Sequence, residues 1–174
     1  MTEKGMYFAK PNFYKLINQV GGIWNDKKER PIVCLIQSTE HPDLYWAIPV
    51  GNWEHRDNKA QQRILSYINE DNKELRSCFY HIGKTNIKSI FFISDVVPIT
   101  IDYIDREYLT YGNHQYVIRN SNLIKELEYK LKRILKYENA NPNFFRQHIT
   151  DLKQYLLQEL KGTPESKTLQ SVSN

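Results

Sequence analysis

Residues 30–56, RPIVCLIQSTEHPDLYWAIPVGNWEHR, hold two runs of β-branched, aromatic and aliphatic residues separated by a short string of turn formers. Runs of this kind read as buried strands, the first over 32–38 and the second over 44–50. Thr39, Glu40, Pro42 and Asp43 supply the turn of a hairpin between them. A third apolar segment, SIFFISDVVPIT at 89–100, answers them later in the chain. Each strand pattern ends at a proline, Pro49 or Pro98, and the first runs directly into Asn52, His55, Arg56 and Lys59. A rigid strand that delivers titratable side chains to a loop is a common way to build a site.

The same patterns organise the rest. Residues 6–9 form a short strand, and Asn12 caps a helix over 13–20. Gly21 and Gly22 end that helix by supplying the left-handed conformation other residues avoid. Residues 25–29 are a polar loop. Residues 58–69 fit a helix with Ile64, Leu65 and Ile68 on one face, and a charged turn follows at 69–74. Strands are expected at 77–82 and 88–94, joined through Gly83, Lys84, Thr85 and Asn86. A short strand at 96–99 contains Pro98, which favours an edge or a bulge.

Two longer helices close the chain. Ser121 or Asn122 caps the first, whose Ile124, Leu127, Leu131, Ile134 and Leu135 recur at helical spacing. Residues 139–143 interrupt it and Pro142 marks the restart. The second helix carries Phe145, Ile149, Leu152, Leu156 and Leu160 on one stripe. Residues 1–161 therefore read as a single domain, of a size with a genuine core, and 162–174 as a disordered tail.

Several function classes drop out. No apolar run approaches the ~20 residues of a membrane span, and the N-terminal MTEKGMYFAKP lacks the apolar segment of a secretory signal. Cys34 and Cys78 stand far apart inside strand-like stretches and read as reduced packing residues, which makes a cytoplasmic location the default. There is no phosphate loop ending in GK[ST], no HExxH, no GxSxG and no Cys/His ligand spacing, so no metal and no cofactor is expected. The net charge of +4 permits a polyanionic partner without demanding one; an aromatic content of 13%, with 12 tyrosines, suits stacking on unpaired bases.

MYFAKPNFYKL at 6–16, RPIVCLIQ at 30–37, LYWAIPVGN at 44–52 and IFFISDVVPI at 90–99, in this order and spacing, resemble the toxins of type III toxin-antitoxin systems. These are the ToxN, AbiQ, CptN and TenpN group, and the likeness is nearest the CptN and TenpN branch over about the first two thirds of the chain. The resemblance implies an α+β fold: a strongly twisted antiparallel sheet flanked by helices, similar to the MazF and Kid toxins, with two helices at its C-terminal end. It implies a metal-independent endoribonuclease that leaves a 2′,3′-cyclic phosphate on messenger or other cellular RNA. The inhibitor would be a folded RNA antitoxin, a repeat of pseudoknot type, that the toxin processes and then holds in a closed toxin-RNA hetero-oligomer. Such systems act in abortive infection by phage.

Cleaving RNA through its own 2′-hydroxyl needs a proton acceptor, a proton donor for the 5′ oxygen, and donors for the charge on the phosphorane. His55 is the foremost candidate for proton transfer, because histidine titrates nearest working pH. Asn52 and the Gly51 amide would hold the phosphate, with Arg56 or Lys59 neutralising charge. Family members carry a hydroxyl pair followed by lysine at this point, whereas this chain has Gly51 and Asn52, then Glu54, His55 and Arg56. His81 and Lys84 end a strand at a glycine turn and could supply the second group if both strand ends face one groove. Which group is acid and which is base, and whether the site centres on histidine or on a lysine such as Lys59 or Lys84, stays open. RNA contacts beyond the site are assigned to Lys10, Phe13, Trp53, Lys88 and the helical stripe Lys125, Tyr129, Lys132 and Lys136. Two rivals remain: a non-catalytic RNA-binding module of similar fold, and a MazF-like RNase held by a protein antitoxin.

Overall fold

β-branched and aromatic runs become strands where they can be covered, and the described residues form seven strands, most of them of this kind. They are β1 (Met6–Ala9), β2 (Ile32–Gln37), β3 (Tyr45–Asn52), β4 (Tyr80–Lys84), β5 (Lys88–Phe92), β6 (Val97–Ile99) and β7 (Ile104–Glu107). All pairings are antiparallel, in the order β4-β5-β3-β2-β1-β7, with β6 joining β3 beside β5. The computed structural model describes residues 1–24 and 30–162. The expected polar loop at 25–29 and the expected tail from 163 onward lie outside the described residues.

Among the described residues four helices flank the sheet: α1 (Pro11–Gln19), α2 (Asn58–Ile68), α3 (Ser121–Ala140) and α4 (Ile149–Gly162). The α+β architecture, with an antiparallel sheet and two C-terminal helices, is the one expected. No described helix is long and apolar enough to cross a membrane.

Strand alternation sorts the core onto two faces. Val33, Leu35, Ile48, Val50 and Phe91 turn to the face covered by α3, where Leu123, Leu127, Leu131 and Ile134 meet them. Ile32, Cys34, Ala47, Val97 and Ile99 turn the other way, onto Phe13, Leu16 and Ile17 of α1 and Leu152 and Leu156 of α4. At about 1.5 to 3 kcal/mol per fully buried aliphatic side chain, the four residues of the α3 stripe supply roughly 6 to 12 kcal/mol before entropy. Packing, not intrinsic propensity, holds α3 in place. Both cysteines are free and buried, and burial pushes the Cys34 thiol up to about 12. Trp53, Ile64, Ile90 and Phe92 form a third, smaller cluster beneath α2.

β3 does not stop at Val50, as the sequence suggests, but runs through Pro49 to Asn52. Val50 donates its N–H to Pro31 O, toward β2, so the neighbouring Pro49 faces the opposite side. There the partner changes: residues 45–47 of β3 pair with β6 and residues 50–52 with β5. The missing proline N–H therefore falls at the break between two partners and removes no ladder bond. Asn52 becomes the last residue of a strand and not a loop residue.

Other boundaries also move. Pro11 opens α1 at its first position, and Lys10, not Asn12, occupies the cap. Asn120, not Ser121 or Asn122, caps α3, its Oδ1 accepting from the N–H groups of Asn122 and Leu123. Residues 75–78 and 93–95 are short 3-10 turns, which shorten the expected strands to Tyr80–Lys84 and Lys88–Phe92.

The last helix starts at Ile149, so Phe145 is buried in the preceding turn and not on the helical stripe. That turn is organised by Glu138, which is 2% exposed. Its carboxylate accepts from the N–H groups of Asn143, Phe145 and Thr150 and from Thr150 Oγ1. β7 was not anticipated: IDRE is mostly exposed and has no apolar alternation.

Candidate functional site

The segment after β3 is held by its own backbone and by two side chains. Asn52 Oδ1 accepts from Glu54 N at 2.8 Å, Trp53 N donates to Lys88 O at 3.0 Å, and Arg56 N donates to Trp53 O at 3.0 Å. Gln61 reaches back from α2 to the carbonyls of Trp53 and Arg56, and Asp57 caps α2 through Ala60 N. Trp53, 5% exposed, plugs the third core cluster and anchors the loop. A loop so tied presents its remaining groups in fixed positions.

Two concavities flank it. The first is a cavity of about 210 Å³ lined by Gly51, Asn52 and His55 on one side and by Thr85, Asn86 and Ser89 of the β4-β5 hairpin on the other. Met6, Pro31, Val50, Ile87 and Tyr108 complete it. Asn52 and Ser89 are directly opposed across β3 and β5, which puts their side chains on one face. Thr85 and Ser89, both buried, share a hydrogen bond of 2.8 Å between their hydroxyls. His55 and Asn52 thus share the cavity with the hydroxyls of Ser89 and Thr85, the latter missed by sequence reasoning, and with the Tyr108 ring.

The second is a groove of about 900 Å³ on the α2 side. Arg30, Arg56, Arg63, Arg76 and Arg146 line it against two carboxylates, Glu74 and Asp95, an excess of three positive charges. Rings alternate with these cations. Arg30 and Arg56 lie 4.9 and 5.3 Å from the centroid of Phe92, and Arg76 lies 5.5 Å from that of Tyr67. Tyr67 and Tyr80 stack with planes 3° apart, and Phe144 is 54% exposed at the rim. Burial, reinforced by Asp95, pushes the Tyr80 phenol above its ordinary value, so its hydroxyl stays protonated.

The predicted residues divide between these places. Gly51, Asn52 and His55 come together as expected. Arg56 does not join them: its guanidinium passes beneath Gly51, where a Cβ would sit 3.0 Å from Nη2, and lines the groove instead. Lys59 is exposed in the first turn of α2 and lines neither concavity.

His81 is not a partner of His55. It is paired with Phe91 on the face that α3 covers, and Leu123 packs against Gly83, two residues further along the strand. Burial and the nearby Lys130 cation lower its pKa, with Glu126 opposing, so the ring is neutral at physiological pH. Lys84 and Lys88 face each other at the mouth of the hairpin, adjacent in sequence to Thr85 and Ser89, but neither lines the cavity.

The expected RNA contacts fare unevenly. Phe13 is 1% exposed in the core under α1 and cannot stack on a base. Trp53 is likewise buried, and the cation 5.7 Å from its ring centre is Lys88. Lys10 donates to Asp102 O at 2.7 Å, clamping α1 to the chain before β7. Lys125, Tyr129, Lys132 and Lys136 are exposed on the outer side of α3, Tyr129 at 55%. Of the groove arginines only Arg56 was anticipated; Arg30, Arg63, Arg76 and Arg146 were missed because each comes from a separate segment. Residues 67 and 76–80 hold the one local signal, tyrosines and an arginine close in sequence.

Among the described residues, no group of three or more His, Cys, Asp or Glu side chains is placed to hold a metal ion. No protein-family model matches the chain, and no curated protein matches it significantly.

Proposed function

We propose that this protein is a metal-independent endoribonuclease that cleaves RNA through the 2′-hydroxyl, with the His55 cavity as the reaction centre. One observation carries the reading: a strand end and a neighbouring hairpin bring Asn52, His55, Thr85 and Ser89 to the wall of one cavity, within a largely apolar lining, and the same loop borders an arginine-rich groove. In this reading His55 takes the 2′ proton while the 2′ oxygen attacks phosphorus. The bond from phosphorus to the 5′ oxygen breaks, and that oxygen receives a proton to leave as a hydroxyl. Asn52 Nδ2, whose Oδ1 already accepts from Glu54 N, offers a hydrogen bond to the phosphorane. Tyr108, in the same cavity, is the available second proton-transfer group in place of His81.

The biological setting follows from the resemblance to type III toxins. The protein would act on cellular RNA in the cytoplasm, process a repeated RNA antitoxin of pseudoknot type, and remain bound to it in a closed assembly. A non-catalytic RNA-binding module is the second reading, favoured by the single histidine in the cavity. A protein antitoxin would leave the chemistry unchanged and alter only the partner.

Purified protein incubated with RNA in EDTA, followed by end mapping, should yield 2′,3′-cyclic phosphates and 5′-hydroxyls, and His55→Ala should abolish both. Wild type that binds RNA and never cuts it sinks the enzyme reading. RNA retained through purification and released by RNase treatment would support the RNA antitoxin.

A further inference from the structure

A groove that binds a folded protein or a duplex needs mainly shape and charge, whereas one that binds an unpaired strand also needs ring faces at which bases can stack. The α2-side groove has both cations and rings, in alternation. Arg76 lies over Tyr67, Tyr67 is stacked on Tyr80, and Phe144 stands half-exposed against Tyr137 at a ring-centre distance of 4.7 Å on the far wall, beside Arg146. Part of the charge is already used: Arg146 pairs with Asp95 at 2.7 Å and Arg76 with Glu70 at 3.0 Å. Arg63, exposed in α2, makes no ion pair with any described residue.

We propose that this groove is a binding track for unpaired nucleotides of an RNA strand, separate from the His55 cavity, with arginines on the phosphates and Tyr67, Tyr80 and Phe144 as stacking surfaces. This rests on the reading of RNA as the protein's ligand and adds where the strand lies and in what form. The loop from Gly51 to Arg56 joins the two places, its Asn52 and His55 in the cavity and its Arg56 in the groove. A strand held in the groove is therefore delivered to the cavity around one short turn. Duplex RNA hides its base faces and gains only the phosphate contacts.

Binding of a short, unstructured, fluorescein-labelled oligoribonucleotide to the full chain in EDTA, followed by anisotropy across a salt series, tests this. With three net phosphate contacts the log-log salt slope should be about −2, at about −0.7 per phosphate for a single strand. Arg63→Glu, which lowers the net charge of the groove by two, should weaken binding about tenfold and flatten the slope by about 1.4. Phe144→Ala should weaken it about fivefold or more at an unchanged slope, because it removes stacking and not charge. Arg63→Lys should retain the wild-type slope, and the melting temperature of each variant shows that the fold is kept. The same sequence as duplex should bind at least tenfold more weakly, and polyglutamate should not displace the strand.

Groove variants that bind like wild type, equal affinity for duplex, or displacement by polyglutamate each overturn the proposal. If wild type binds through the groove but never cleaves, the track stands and the endonuclease reading falls. If wild type cleaves and Arg63→Glu and Phe144→Ala leave KM untouched, the track falls and the endonuclease reading stands.

Discussion

The cavity and the groove sit on two sides of one loop and are built on opposite principles. The cavity is small and half-open, and the polar groups in its largely apolar wall are mostly short side chains on strands and a tight hairpin, several of them already hydrogen-bonded to each other. The groove is about four times larger, open, and lined by long arginines from α2, a 3-10 turn, the β3 loop and the turn before α4. Rigid, short groups suit a reaction centre, where sub-ångström placement matters. Long cations with ring neighbours suit a surface that must tolerate many sequences. The difference assigns chemistry to one place and grip to the other, and it can be attacked from either side.

The largest effect should come from His55→Ala. It should lower the cleavage rate by 10² to 10⁴, about 2.7 to 5.5 kcal/mol of barrier, while leaving RNA affinity within twofold in a direct titration. A variant that loses binding in parallel with cleavage would erase the distinction between the two places.

Glu138→Gln comes next. It puts an amide N–H₂ group where four donors converge and should destabilise the fold by about 2 to 3 kcal/mol in urea unfolding. The turn it holds carries Phe144 and Arg146, so RNA affinity should fall more than the single-turnover rate at saturating RNA. An equal loss in both would mean the two walls are not independent.

Gly51→Ala tests the wall they share. The added methyl would lie 3.0 Å from Arg56 Nη2 and 3.2 Å from the Phe92 ring, so the guanidinium must shift. The expected cost is about 1 kcal/mol in stability, with a several-fold loss of affinity and a smaller loss of rate.

The smallest effect is a pH dependence at His81. Its pKa is lowered in the folded state, so above the unfolded value of about 6.5 the ring is neutral in both states and costs nothing. As pH falls below that value the unfolded chain binds the proton first, and stability is lost down through the folded pKa. His81→Gln should remove this part of the acid slope in thermal melts and leave the pH profile of cleavage unchanged. A shift in the cleavage profile would return His81 to the reaction centre.

Elements with strong periodicity were legible because their burial is one-sided or complete. The strand IVCLIQ, the stripe of Leu127, Leu131 and Ile134, and the glycine ending of α1 each follow from local rules. β7 was invisible because IDRE buries almost nothing; its strand geometry comes from pairing with β1. Caps shifted by one or two residues, since Asn120, Ser121 and Asn122 are all competent and only the chain's entry angle selects Asn120. Of the site, Gly51, Asn52 and His55 could be grouped from sequence because they are contiguous. Thr85 could not, and nor could the placing of Ser89 against Asn52, as the antiparallel register that sets them opposite is a property of the assembled sheet.

Sequence alone therefore determined six of the seven described strands, the two C-terminal helices and a polar cluster at the end of β3, because each depends on neighbours a few residues apart. Only the tertiary structure turned Arg56 away from His55, buried Phe13 and Trp53, and gathered five distant arginines into one groove. Side-chain direction at a strand end depends on which partner strand and which helix arrive there, and that information is carried by the packing of the whole sheet.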